Sequence, residues 1–192
     1  MIVSHDREKL VNAVVYFVRE TKYCHTLKLF KLLNVLDFEH FRQRGRTVTG
    51  LNYEAWENGP VPPELFREID KGGEADLRAA VTINDVKDEI TQGLKRRDFI
   101  ARVKFDPTIF TGRELKIMER IAEIFRDARG ETMRDFSHLK GLPWKAVYKS
   151  GEGNGKNISP ELSLDAEALM SDRPTIDRDE LKFRREFLRD SV

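Results

Sequence analysis

Leu27-Lys28-Leu29-Phe30-Lys31-Leu32-Leu33-Asn34-Val35-Leu36-Asp37-Phe38-Glu39-His40-Phe41-Arg42 is the stretch on which the fold turns. On a helix over residues 27–42, Leu27, Leu29, Phe30, Leu32, Leu33, Val35, Leu36, Phe38 and Phe41 leave almost no polar side. A helix that is apolar all round is enclosed by other elements. Residues 27–42 are therefore expected to form the central helix, with Gly45 behind an Arg-rich last turn as its stop.

Working outward, residues 5–20 place Leu10, Val14, Phe17 and Val18 at helical spacing, with acidic residues at the start where the helix dipole favours them. Tyr23 to Thr26 reads as a short connection. Residues 52–57 read as a short strand. Gly59-Pro60-Val61-Pro62-Pro63 is expected to exclude regular structure locally, because proline lacks the amide donor. Pro63 suits the first turn of a short helix over 63–71, with Leu65, Phe66 and Ile69 inward and Gly72-Gly73 at its end. Residues 74–98 are polar and read as one or two weak helices or a surface excursion. Phe99, Ala101, Val103 and Phe105 alternate with Ile100, Arg102 and Lys104, a strand pattern whose natural mate is the segment near Tyr53.

Thr111 and Glu114 have capping-box spacing, and the helix behind them is expected to bury Leu115, Met118, Ile121, Ala122 and Phe125. Thr132 suits the cap of a shorter helix through Leu139. Gly141-Leu142-Pro143-Trp144 breaks the chain before a short helix through Tyr148, and Gly151 to Asn157 reads as a mobile loop. From Asp172 onward, 12 of 21 residues are charged, six of each sign. On a helix, Leu181 and Leu188 share one side while Ile176, Phe183 and Phe187 share another, which suits docking on the domain or on a partner. The fold class is mainly α (α+β). It is a compact helical domain over 1–170 around a buried central helix, with a small antiparallel β element and a C-terminal helical extension over 171–192.

The 192 residues are 40% hydrophobic and 35% charged, enough for one domain with a packed core. A net charge of +1 gives no global basic excess of the kind nucleic-acid binders show. The lone Cys24 suits a reducing compartment and reads as inert. No signal-like N-terminus or membrane-length apolar run is evident, so a cytoplasmic protein is expected. Asp37 and His40 could share a helix face, but a metal site needs three or four ligands. Gly151 to Lys156 lacks the Gly-Lys-Ser/Thr ending of a phosphate loop, and neither a nucleophile elbow nor a dinucleotide fingerprint is present. No catalytic residue, metal or cofactor is therefore expected, and the chain is read as a non-enzyme. Lys95, Arg96, Arg97, Arg102 and Lys104 form a basic cluster that reads as a solvated strand, with an acidic protein or nucleic acid as the other options. Tyr53, Trp56 and Trp144 sit on segments broken by Gly and Pro, where aromatic residues serve either as core or as anchors for a partner.

Two blocks carry a family resemblance. The first runs from Lys31-Leu32-Leu33 through Asp37 and Gly45-Arg46 to Tyr53-Glu54-Ala55-Trp56-Glu57-Asn58-Gly59-Pro60-Val61. The second is Phe136-Ser137-His138 followed by Pro143-Trp144. In order and spacing they resemble the Panacea (SocA-like) antitoxin family over roughly residues 5–165. The family often has Tyr-Leu-Ala where this chain has Asn34-Val35-Leu36. The resemblance implies a mostly helical, non-enzymatic domain encoded beside a toxin gene in bacteria, phages or prophages. It also implies that the cognate protein toxin is the partner and is silenced by direct contact. The candidate partner-binding residues are Tyr53, Trp56, Asn58, Gly59 and Pro60 at the Gly-Pro-Val turn, His138 and Trp144 in the second block, Arg96 and Arg97, and Phe183 and Phe187 in the tail. A homodimer stays open, while nucleic acid and membrane are not expected as partners. The rival readings are a winged-helix-like DNA-binding regulator and an adaptor that hands its partner to a protease. Against the former, helix 27–42 is too apolar to read a major groove.

Overall fold

The computed structural model describes residues 5–91, 94–166 and 179–182. Helix α1 (Asp6–Glu20) buries Leu10, Val14 and Phe17 as their spacing predicts, and leads into α2 (Thr26–Arg44). α2 is the central helix: from Thr26 to Arg42 every residue except Asn34 is buried. It ends at Gly45, whose left-handed conformation lets its N–H reach Phe41 O.

Two separate antiparallel hairpins flank the helices. In the first, β1 (Glu54–Trp56) pairs with β2 (Gly59–Val61) in the register Glu54 to Val61 and Trp56 to Gly59. The Gly-Pro-Val run is thus a strand, against the expectation that its prolines exclude one. Pro60 faces Ala55 in that register. Ala55 spends its own N–H and C=O on Lys156 O and Gly155 N instead, and the Pro60 carbonyl goes to Lys31. The missing proline donor therefore costs the ladder nothing.

The segment expected as a mobile loop is laid along the other edge of β1. Gly155 N–H donates to Ala55 O at 2.9 Å, and Ile158 N–H donates to Tyr53 O at 2.7 Å. Within this segment the chain folds back so tightly that a Cβ at Gly153 would lie 1.8 Å from Val147 O.

After α3 (Pro63–Asp70), which opens on Pro63 as expected, and α4 (Ala75–Ala80), the second hairpin pairs β3 (Val81–Thr91) with β4 (Leu94–Ala101). The polar region 74–98 therefore holds one short helix and most of a hairpin. The strand expected over 99–105 starts earlier, stops at Ala101 and pairs with β3, not with the Tyr53 segment. Phe99 is buried, and Ile83, its partner in register, packs against the core. Asp98 and Asn84 face each other in register on the alternate positions, and Arg97 is paired with Asp85.

Helix α5 (Gly112–Phe125) carries the expected capping box: Glu114 N–H donates to Thr111 Oγ1 and Thr111 N–H donates to Glu114 Oε2. Its inner face is Ile117, Met118, Ile121, Ala122 and Phe125, while Leu115 is only half-buried. Helix α6 (Gly130–Ser137) starts two residues before Thr132, so Thr132 lies in its first turn and Arg129 precedes it. Helix α7 (Pro143–Tyr148) follows the Gly141–Leu142 break. α1, α5, α6, β2 and β4 all pack on α2. Residues 179–182 are helical, and Leu181 is buried against Phe41 at the end of α2 and Leu164. Phe183 and Phe187 lie outside the described residues.

Candidate functional site

Because α2 is enclosed, its polar side chains must find partners inside the fold. Lys28, Asp37 and His40 reach out of the helix to other parts of the chain. Lys28 Nζ donates to the carbonyls of Lys22, Phe125 and Ala128, each at 2.7 Å, and lies 3.2 Å from Arg126 O. It thereby places a cation at the C-terminus of α5, where the helix dipole favours one. Asp37 accepts from Val48 N–H, Thr49 N–H and Tyr53 OH, each at 2.8 Å, and from the Thr49 hydroxyl. Burial pushes the Asp37 carboxyl up to about 6, against the pull of these bonds. His40 Nδ1 donates to Arg46 O at 2.7 Å, and burial holds the imidazole below its ordinary basicity. Asp37 and His40 are thus engaged with different segments. Among the described residues no three potential metal ligands cluster.

Lys31 has another setting. Its side chain is 1% exposed, and its amine donates to Pro60 O at 2.8 Å. Gly59, at φ +105°, passes so close that an added Cβ would lie 2.5 Å from Ser137 Oγ and 2.7 Å from Lys31 Cε. α2, β2 and α6 therefore converge here, and only glycine fits the crossing. Trp144 closes the group. Its Nε1 donates to Trp56 O at 2.8 Å, and its ring stacks between His138 (3.9 Å) and Tyr148 (4.6 Å). Between these elements lies a narrow recess. Val35, Phe38, Phe136, Leu142 and Trp144 wall it, and Lys31, Asn34 and Ser137 are its polar members. Burial holds the Lys31 amine well below ordinary lysine basicity. Burial also lowers His138, helped by the nearby cations Lys31, Arg134 and Lys145.

The family model of the SocA-like antitoxin, Panacea domain, matches residues 29–145. The chain belongs to this family. No curated protein and no solved structure matches it. The matched span of the Panacea domain runs from α2 into α7 and contains every residue of the recess. Among the described residues no helix is long and apolar enough to cross a membrane.

The structure separates the residues singled out from the Panacea sequence into three groups. Tyr53 is a core residue: it is 1% exposed, its hydroxyl is spent on Asp37 and its ring meets Phe38 edge-on. Trp56, Asn58, Gly59, Pro60, His138 and Trp144 collect around the recess and the β1–β2 turn. Of these, Gly59, Pro60 and Trp144 are buried, while Trp56, Asn58 and His138 are half-buried. Trp56 packs edge-on against Phe66 and donates to Glu54. Arg96 and Arg97 belong to the other hairpin. Arg97 is buried in ion pairs with Asp85 and Asp70, and Arg96 pairs with Asp98. Arg102 bonds Arg78 O. Arg96, Arg97 and Arg102 of the basic cluster are thus engaged within the fold, while Lys104 is exposed and the side chain of Lys95 lies outside the described residues. Burial pushes the Cys24 thiol up to about 12, which agrees with an unreactive cysteine.

Lys31, Asn34 and Ser137 appear in the sequence only as parts of longer motifs. The signal that marks Lys31 is a charge inside an otherwise apolar helix, because such a group must be satisfied in the core. Leu139, 53% exposed just beyond α6, is a further apolar residue of this region that periodicity alone does not mark as exposed.

Proposed function

We propose that this Panacea domain is an antitoxin that silences a cognate protein toxin by direct contact, covering the toxin's working surface. Family membership over residues 29–145 carries the proposal. The geometry supports it. Long-range hydrogen bonds tie the β1–β2 hairpin to α2 through Lys31 and to α7 through Trp144, which leaves the half-buried Trp56 and Asn58 on a pre-organised hairpin. Pre-organisation lowers the ordering cost of association. The enclosed α2 leaves no open face of its own suited to a DNA groove, and Arg96 and Arg97 of the β3–β4 hairpin are paired with carboxylates.

The test is co-expression of the tagged domain with the product of the neighbouring gene. The expected outcome is a stoichiometric complex together with restored growth. Trp56→Ala is expected to weaken the complex by more than about 2 kcal/mol, read by calorimetric titration, with an unchanged far-UV circular dichroism spectrum. Restored growth with no complex would overturn silencing by contact, and so would a toxic neighbour that is neither bound nor silenced.

A further inference from the structure

A groove of about 430 Å³ lies where α5 runs beside the C-terminal half of α2. Glu39 and Gln43 line it from α2, and Arg113, Lys116 and Arg120 line it from α5, with the buried Ile117 as its apolar member.

The open charge in this groove is of one sign. Arg113, Lys116 and Arg120 are all exposed. Arg113 Nη1 donates to Gln43 Oε1 at 2.9 Å, a neutral partner that leaves the guanidinium charge uncompensated. Lys116 is paired with no described residue. Arg120 meets Glu123 at 3.2 Å in a pair exposed on both sides, which water and salt screen. The one carboxylate on the walls is withdrawn. Glu39 is fully buried, accepts from Gln43 Nε2 at 2.8 Å and lies 3.7 Å from the buried Arg42. Glu119 and Glu123 belong to α5 but do not line the groove.

The spacing of the cations says what kind of anion fits. Residues 113, 116 and 120 stand at i, i+3 and i+7 and so share one helix face. The rise between them is about 4.5 Å and then about 6 Å. A second helix lying along α5, with acidic residues at the same intervals, repeats both rises and meets all three cations at once. An apolar residue between those acids falls over Ile117, in the manner of a helix anchored in a groove. A single nucleic-acid strand matches the sign but not the rest, because no aromatic ring lines the groove for a base to stack on.

We propose that the α2–α5 groove docks an acidic helix of the toxin, with Arg113, Lys116 and Arg120 pairing its carboxylates and Ile117 taking its apolar residue. The identity of the occupant rests on the antitoxin proposal; the sign and period of the groove do not. The surface is separate from the β1–β2 hairpin, none of whose residues lines it.

The test reverses the charge of the groove at exposed positions of the full-length chain, by Arg113→Glu, Lys116→Glu and Arg120→Glu together. Toxin binding is read by calorimetric titration at low and at high salt. The wild type is expected to lose affinity as salt rises. The triple variant is expected to bind at least about tenfold more weakly at low salt, with a flatter salt dependence. Lys104→Glu, at an exposed cation outside the groove, is expected to change neither. Should the triple variant melt early, Lys116→Glu alone carries the same test at the cation with no partner. Equal affinity and equal salt dependence of the wild type and the reversed variants overturn the groove as a docking site and leave the antitoxin proposal intact. A wild-type chain that captures no toxin defeats the antitoxin proposal instead. An alanine-based helical peptide with Glu at i, i+3 and i+7 then decides the chemistry of the groove by NMR titration. Saturable shifts of the Ile117 methyl groups that vanish in the triple variant uphold an acidic helix as its ligand. No such shifts, or tighter binding of a single-stranded oligonucleotide lost in the same variant, overturns it.

Discussion

Lys28 and Lys31 share one helix and meet different fates. The Lys28 amine is ringed by carbonyl oxygens from the chain before α2 and from the end of α5, whereas Lys31 meets a single carbonyl. Lys28→Met strips several buried acceptors of their donor and is expected to cost about 3 kcal/mol in urea unfolding. Lys31→Met exchanges a poorly served amine for an apolar stem and is expected to stay within about 1 kcal/mol of the wild type.

Asp37 gives a pH signature. Its folded pKa of about 6 lies above the ordinary 3.8, so the folded state binds the proton more tightly than the unfolded chain does. Its contribution is therefore fully present below about pH 4 and is lost as pH rises through 6. Asp37→Asn cannot titrate, and it turns an amide donor toward the N–H and O–H donors of residues 48, 49 and 53. The variant is expected to be less stable than the wild type, with a gap that widens from pH 7.5 to pH 5 in thermal melts. Sequence reveals that charges in an apolar helix need partners, but not which ones. The Lys28 acceptors on α5 and beyond it lie 97 to 100 residues away.

At the scale of elements, what the sequence foretold depends on how local the cause is. The Thr111–Glu114 box is written within one turn and was legible; Thr111→Ala is expected to cost about 1 kcal/mol by chemical denaturation. Glu114→Gln is expected to cost more, because the same carboxylate also holds Lys9 at 2.7 Å. The apolar α2 and the proline-opened α3 were legible for the same reason. The β3–β4 hairpin was not. Its strands carry charges that are satisfied by partners such as Asp70, which lies on α3, so alternation is blurred where the pairing is strongest. The Gly-Pro-Val strand was hidden because its proline is harmless only when the facing residue bonds elsewhere, a fact that depends on residues 155–158. The recess was half legible. Its motifs could be read, but the convergence of Lys31, Gly59 and Ser137 is tertiary. Gly59→Ala, strained at φ +105° and driven onto those two side chains, is expected to cost about 3 kcal/mol.

Across the whole molecule, α2 acts as a common frame. Segments before it, beside it and far beyond it are each tied to one of its side chains, and Leu181 adds an apolar contact from the C-terminal extension to Phe41. Leu181→Ala is expected to lower the stability of the domain by about 2 kcal/mol, measured by urea unfolding. The ties also bear on the order of assembly. The hairpin β1–β2 is complete in sequence by Val61, yet the outer edge of β1 is closed only by residues 155–158. A ribosome adding about 5–20 residues per second needs several seconds to make the chain between them. A β1–β2 hairpin formed in that interval would hold the Ala55 amide and carbonyl unpaired, a template for pairing with other chains. Pairing across so long a separation in sequence slows folding, and the outer edge of β1 is completed only by the C-terminal quarter of the chain. Slower translation of that quarter would prolong the exposed interval, and a chain truncated before Gly155 would never leave it.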